Sequence, residues 1–541
     1  LTSITTDAPG GTTINTSSVT TSGAQTYNDA VTLAANTTLA SVSAGNITFN
    51  NTLNGARTLT LNTAGNNVFN AIVGGTTALT SITTDAPGGT TINTSSISTT
   101  GDQTYNDALS LLVDSTIESS GSGDISFNNT IDGANDFTVN TAGTTSFNGA
   151  VGGTTSLTSL TTDALGTSHI SGGEVTTTGD QSYGDNVTLG SDATFTSETG
   201  NIGFGGTIDG DYSMTIDLPG SATFNGVIGG TTPLTMVDIT AGADVTAQIN
   251  VTDGISVDTS LGNGNILLAS TTGNLPIDFL FPGDGNVSLE SIAMITDANG
   301  PDMNIVSYHL DLKAINGISD PSDPLEITVT NLSATTQTGG IYIANTGSLN
   351  VTAVNGIDGV DVSETPASGD IVISSTGDIS VDEEISNAGS GNIILSAGND
   401  IILNELITAT GSGREGGVVT LSVEEGSILD GNGDDPNVVA NNVLAVSPTG
   451  GVADPSNYDF LIAFNTEESL PYLIVFNNRF MGGDDINDVY QALSVINTKM
   501  MVGDTNYYYS NFDDLSKWMT RDPMLSPIYG MQSSLPTMSG F

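Results

Sequence analysis

LTSITTDAPGGTTINTSS occupies residues 1–18 and returns letter for letter at residues 79–96, and a looser copy, LTSLTTDALGTSHISGG, begins at Leu157. The spacing is 78 residues, then 77 to Leu234. A period of that length is too long for one hairpin and too polar for helical hairpins, so it defines a repeat architecture in which each unit buries its apolar face against its neighbours. Within a copy the apolar residues alternate with Thr, Ser and Asn in short runs such as QTYNDAVTLA, GNITFNNTL and RTLTLNTAG. Each run ends at Gly or Asn, which accept a sharp corner. The pattern predicts short strands joined by corners. Tyr27, Tyr105 and Tyr183 share one repeat position, and Phe69, Phe147 and Phe224 another. Phe49 and Phe127 are matched by Phe204 after a one-residue deletion, and a β-helix would stack such residues inside.

At about 20 residues per coil, one copy would make roughly four coils, each adding about 4.8 Å along an axis. Residues 1–233 then form three solenoid repeats. Residues 234–454 lose the long period yet keep smaller punctuation in Gly264-Asn265-Ile266, Gly369-Asp370-Ile371, Gly377-Asp378-Ile379 and Gly391-Asn392-Ile393. They read as an irregular continuation of the same solenoid. A row of β-sandwiches is the alternative, but it would not survive loss of the period so easily.

Composition removes several functions. The 541 residues hold 7 Lys plus Arg against 59 Asp plus Glu, a formal charge of −52, so phosphate contacts and nucleic acid are excluded as partners. With no cysteine there is neither a disulfide nor a thiolate metal site. No run of 18 apolar residues is present, so no membrane-spanning segment is expected in this chain. Leu1 falls in register with Leu79 and Leu157. The chain therefore reads as cut from a longer array, with any export signal upstream.

GDQTYNDALSL, GNITFNNTLNGARTLTLNTAG and VGGTTALTSITTDAPGGTTIN resemble the repeats of filamentous-haemagglutinin-like bacterial surface proteins, as do the stretches starting at Ile315 and Ser390. The resemblance covers roughly residues 1–446. It implies a right-handed parallel β-helix, export across an outer membrane, and adhesive or structural work at the bacterial surface or outside the cell. The ligand, a surface glycan or a protein receptor, is not identified by it.

Candidate chemistry is sparse. Only Asp7, Asp85 and Asp163, and Asp29, Asp107 and Asp185, are acidic in all three copies. Asp capping its own following turn explains that recurrence better than a calcium-binding row. Copy one has a net charge of −1, while copies two and three carry eight and nine acids and no base. Asp430, Asn432, Asp434 and Asp435 in DGNGDDPN resemble part of a calcium loop but fail its spacing at Asp435 and Asn441, so no metal and no cofactor are expected. His169 and His309 have no nucleophile motif around them. Asp382, Glu383 and Glu384 could serve a carbohydrate-active β-helix hydrolase or lyase, the competing reading. However, Lys313 and Arg414 are the only cations between Arg57 and Arg479, and no catalytic residue is assigned. The sequons at Asn15, Asn36, Asn46 and Asn250 arise freely in so polar a chain.

Residues 455–541 change character. They hold 14 of the 30 aromatics, seven of the 11 Met and four of the seven cations. Two apolar strands starting near Tyr458 and Tyr472 precede a helical stripe of Ile486, Val489, Tyr490, Leu493, Ile496 and Met500 near 485–501. An α+β cap on the all-β solenoid is the expectation. Tyr507, Tyr508, Tyr509, Phe512, Trp518, Met519, Tyr529 and Phe541 form a candidate self-association interface, because aromatics and Met are enriched in interface cores. The function expected is a non-enzymatic extracellular structural protein or adhesin, an elongated rod that polymerises through its C-terminal region.

Overall fold

In the computed structural model, the structure describes residues 1–363, 369–409, 417–432, 437–440 and 442–447, together with the strands Ile462–Phe464, Leu473–Asn477, Lys499–Val502 and Thr505–Tyr508. Among the described residues there is no helix, and the architecture is a parallel β-solenoid. The chain divides into two units, residues 1–308 and 309–541.

In the first unit, strands of two to eight residues pair in parallel with strands about one turn away, and three sheets result. One begins Ile4–Thr5, Gln25–Tyr27, Ile47–Phe49, Asn66–Phe69, Gly89–Ile92 and Ala108–Leu111. A second begins Gly11–Ile14, Ala30–Leu33 and Leu53–Asn54, passes through Val73, and continues at Ser96–Thr99. The third begins Ser18–Thr21, Thr37–Ser41, Thr58–Thr63, Ser81–Thr84 and Gln103–Tyr105. Period-2 sequence becomes period-2 burial: Thr37–Ser41 alternates buried and half-buried, with Leu39 fully enclosed.

From Gln25 to Gln103 the chain crosses eleven sheet positions, ten strands and the Val73 bridge. Eleven is not a multiple of three, so a copy makes three and two-thirds turns, fewer than the four expected. Each copy therefore starts one sheet away from the last. Tyr27, Phe49 and Phe69 stack in the first sheet with centroids 5.3 and 5.5 Å apart. Tyr105, Phe127 and Phe147 make the same ladder in the third sheet, at 5.4 and 5.5 Å. Tyr183, Phe204 and Phe224 make it at 5.0 and 5.6 Å, starting from strand Gln181–Tyr183 of the second sheet. The aromatic positions stack within a copy, and equivalent residues of different copies lie on different faces.

Corners need glycine at one recurring place. Gly55, Gly133 and Gly210 have φ of +128°, +139° and +143°. A Cβ there would lie 2.4, 2.2 and 2.6 Å from the carbonyl oxygens of Leu33, Leu111 and Leu189 in the previous turn. The sheet passes residue 234 without a break, as Thr215 pairs with Asp238.

The second unit keeps three parallel tracks but longer, unequal turns. One runs Ile341–Asn345, Ile371–Ser375, Ile393–Ala397, Val418–Val423 and Asn442–Ser447. Strands Ile462–Phe464 and Leu473–Asn477 fall inside the two apolar stretches expected after residue 455. The expected helix near 485–501 lies mostly outside the described residues, and its end is corrected: Lys499–Val502 is a strand, antiparallel to Thr505–Tyr508. Pairing of these two strands overrides the helical spacing of Met500.

Candidate functional site

The acids are the most abundant chemistry in the chain, and the structure gives many of the described ones a partner one turn away. In copy one, Asn36 Oδ1 accepts the backbone N–H of Thr58 at 3.1 Å. Asp114 and Asp192, its equivalents, accept those of Asp136 and Ser213 at 3.0 and 2.9 Å. Asn54, Asp132 and Asp209 each accept two consecutive amides, from Thr76 and Thr77, Thr154 and Thr155, and Thr231 and Thr232. Asn46, Asp124 and Asn201 repeat the arrangement toward Asn66, Thr144 and Ser221. The requirement at these corners is one sp² oxygen, which Asn and Asp supply equally. Part of the charge drift between copies is therefore an exchange of amide for carboxylate at fixed acceptor positions: Asp114, Asp124 and Asp132 in copy two, and Asp192 and Asp209 in copy three, stand where copy one has Asn.

The Gly-[Asn/Asp]-Ile punctuation is the same device. Asn265 Oδ1 accepts Asn286 N–H at 3.0 Å, Asp370 accepts Asn392 at 2.7 Å, and Asp378 accepts Asp400 at 3.1 Å.

The recurring acids form no row. Asp29, Asp107 and Asp185 precede strands of the second, first and third sheets respectively, and their partners are not their own turns. Thr12 donates to Asp29, Thr84 and Thr90 both donate to Asp107 at 2.8 Å, and Thr162 and Ser168 both donate to Asp185 at 2.9 Å. The local-cap expectation is corrected: these carboxylates bind hydroxyls 17 to 23 residues away, bracing neighbouring turns. Asp85 and Asp163 likewise accept the amides of Thr63 and Thr141 from 22 residues earlier. Burial raises the pKa of Asp107 and Asp185 against those hydroxyl bonds, whereas the Thr6 hydroxyl leads in lowering that of Asp29.

Inside each copy a buried glutamine ties the sheets together. Gln25, Gln103 and Gln181 donate from Nε2 to the carbonyls of Ala40, Glu118 and Thr196 at 2.8 to 2.9 Å. Each amide oxygen accepts the hydroxyl of Tyr27, Tyr105 or Tyr183. Burial pushes the Tyr27 hydroxyl up to about 12 and raises those of Tyr105 and Tyr183 well above the ordinary tyrosine value. These tyrosines are core donors.

The sequence reading missed one side-chain pair. His169 Nε2 lies 2.8 Å from Ser171 Oγ, within the range of a nucleophile and its base. A third group orienting the imidazole completes such a site, and among the described residues Ser171 is the one hydrogen-bond partner of the His169 side chain. His309 sits separately in strand Ile305–Ala314. Of the acidic trio, Asp382 accepts from Ser380 and Asn404, whereas Glu384 accepts from Thr408, so the two are held by different neighbours.

The described residues at the two ends of DGNGDDPN bond to one another. Asp430 Oδ1 accepts the amide of Asn432 and the side chain of Asn437, which also donates to Asn432 Oδ1 at 2.7 Å. The same bonds join Asp297, Asn299 and Asn304 in TDANGPDMN. The shared spacing D-x-N-G-x-x-x-N is the signal that would have found this latch. Asp434 and Asp435 lie outside the described residues.

One outward face differs from the rest. Asp217, Asp238, Asp258 and Asp278 crowd together on the sheet of Met214–Asp217, Leu234–Thr240, Val251–Asp258 and Leu275–Phe281. Burial, then the charges of Asp278, Asp217 and Asp258, raise the pKa of Asp238. Of the candidate assembly residues, Tyr507 and Tyr508 fall in strand Thr505–Tyr508, opposite Met500 and Lys499. Tyr509, Phe512, Trp518, Met519, Tyr529 and Phe541 lie outside the described residues. No helix among the described residues is long and apolar enough to cross a membrane. No protein-family model, curated protein or solved structure matches the chain.

Proposed function

We propose that this β-solenoid repeat protein is a non-enzymatic structural protein or adhesin of the bacterial surface or extracellular space, of the filamentous-haemagglutinin-like kind, and that it assembles through its C-terminal region. The observation that carries the reading is the employment of its acids. Catalysis by paired carboxylates needs groups free to exchange protons or attack a substrate. Here Asp114, Asp124, Asp132, Asp192 and Asp209 spend an oxygen on backbone amides of the next turn, and Asp107 and Asp185 on buried hydroxyls. Asparagine does the same work at equivalent corners, which a catalytic carboxylate could not tolerate. The surface location rests on the repeat resemblance. The test is incubation of the full chain with acidic and neutral polysaccharides alongside binding of the labelled chain to cells and glycan arrays. Saturable binding without product supports the proposal; cleavage abolished by neutralising two facing acids would replace it with the hydrolase or lyase reading.

A further inference from the structure

The outward face around Asp238 carries an apolar feature that the repeat pattern does not produce. In parallel strands alternate residues face out, and Ile255 pairs with Ile277 inside the core. The next pair is Ser256 with Phe279, so Asp278 is an inserted bulge residue. The bulge turns both Asp278 and Phe279 outward, and Phe281 follows opposite Asp258. The two rings stand 6.1 Å apart, half-buried, on a solenoid whose outer positions are otherwise mainly Thr, Ser, Asn and Asp. Ser256 Oγ donates to Asp278 Oδ2 at 2.9 Å, and Asp238 and Asp258 stand on the adjoining strands. Such a face suits a cation flanked by apolar side chains, because guanidinium and ammonium groups bind both ring faces and carboxylates.

The chain holds only seven cations, and one stretch of five residues contains two of them: Lys517-Trp518-Met519-Thr520-Arg521. We propose that the face formed by Leu234–Thr240, Val251–Asp258 and Leu275–Phe281 receives residues 517–521 of a second copy of the chain. This rests on the reading that the protein assembles through its C-terminal region, and it names the surface which that region meets. The cations answer Asp238, Asp258 and Asp278, while Trp518 and Met519 answer Phe279 and Phe281. Four extended residue steps reach about 13 Å, enough to cross the roughly 10 Å spanned by three adjacent strands.

The experiment is sedimentation velocity of the full-length chain over a concentration series, with far-UV circular dichroism confirming the fold of each variant. Lys517→Glu with Arg521→Glu should weaken self-association roughly tenfold or more, and so should Asp258→Lys with Asp278→Lys. The variant carrying all four reversals should recover most of the wild-type association. If the wild-type chain associates and neither double variant changes it, the assigned face is wrong while assembly stands. If the aspartate reversals weaken association and the cation reversals do not, the face receives another segment and the assigned occupant is wrong. A wild-type chain monomeric throughout would overturn the assembly reading itself.

Discussion

Asp114 stands in the second copy where Asn36 stands in the first, and the Oδ1 of each accepts the backbone N–H at the start of a strand one turn on, at 3.0 and 3.1 Å. The bond is indifferent to the charge behind it. Asp132 offers the sharpest single-site test, since its Oδ1 accepts two amides at 2.9 Å. Asp132→Asn should be within about 0.5 kcal/mol of wild type, and Asp132→Ala should lose about 1–2 kcal/mol. Urea unfolding of the two variants checks this.

Opposite pH dependences are expected at one repeat position. The carboxyl of Asp107 is held above the usual range by burial, so its folded form binds a proton more readily than its unfolded form. Its contribution to stability is present at low pH and is lost as pH rises through the raised value. Asp29 is held below the usual range, chiefly by the Thr6 hydroxyl, so its contribution is present above the unfolded value and is lost as pH falls. Relative to wild type, Asp107→Asn should gain stability as pH rises from the ordinary carboxylate range through the raised Asp107 value, and Asp29→Asn should lose it as pH rises through the lowered Asp29 value to that ordinary range. Carboxyl-detected NMR titration should place the Asp29 transition below that of Asp107.

Phe127 is the middle rung of the second copy's ladder, stacked on Tyr105 and Phe147 and meeting Phe137 edge-on at 5.5 Å. Phe127→Ala should cost about 3–5 kcal/mol. Tyr105→Phe keeps the ring and removes only the hydroxyl donated to Gln103, for a loss of about 1 kcal/mol. Chemical denaturation should rank the two in that order.

At Gly133, φ of +139° and the Leu111 carbonyl 2.2 Å from a Cβ position leave no room for a side chain. Gly133→Ala should destabilise by about 1–3 kcal/mol. Gly203, with nothing within 4 Å of its Cβ position, should accept alanine at little cost. Thermal unfolding of the pair separates backbone constraint from composition.

Much of this was legible. The 78-residue period, the alternation within QTYNDAVTLA and the Gly-[Asn/Asp]-Ile corners all point to stacked strands, and each appears as such. The inward Tyr and Phe positions were readable too, but not their arrangement, because the face a residue reaches depends on eleven sheet positions shared among three sheets. Asp29, Asp107 and Asp185 illustrate the consequence: aligned in sequence, they lie on three different sheets. Their hydroxyl partners were hidden for the same reason, since Thr84 and Thr90 reach Asp107 only once the turns are stacked. The outward turn of Phe279 depends on one inserted residue, Asp278, which no periodicity announces. At Lys499–Val502 a local helical spacing yielded to strand pairing.

The central claim is that the corner acids act as hydrogen-bond acceptors and that their charge is dispensable. Its most direct test is denaturant unfolding at neutral pH of one chain carrying Asp114→Asn, Asp124→Asn, Asp132→Asn, Asp192→Asn and Asp209→Asn. Each amide oxygen keeps the inter-turn bond, and five fewer negative charges relieve repulsion in a chain of formal charge −52. The unfolding midpoint should equal or exceed that of wild type, with an unchanged strand-dominated circular dichroism spectrum. A chain that fails to fold, or whose midpoint falls as far as that of Phe127→Ala, would contradict the account.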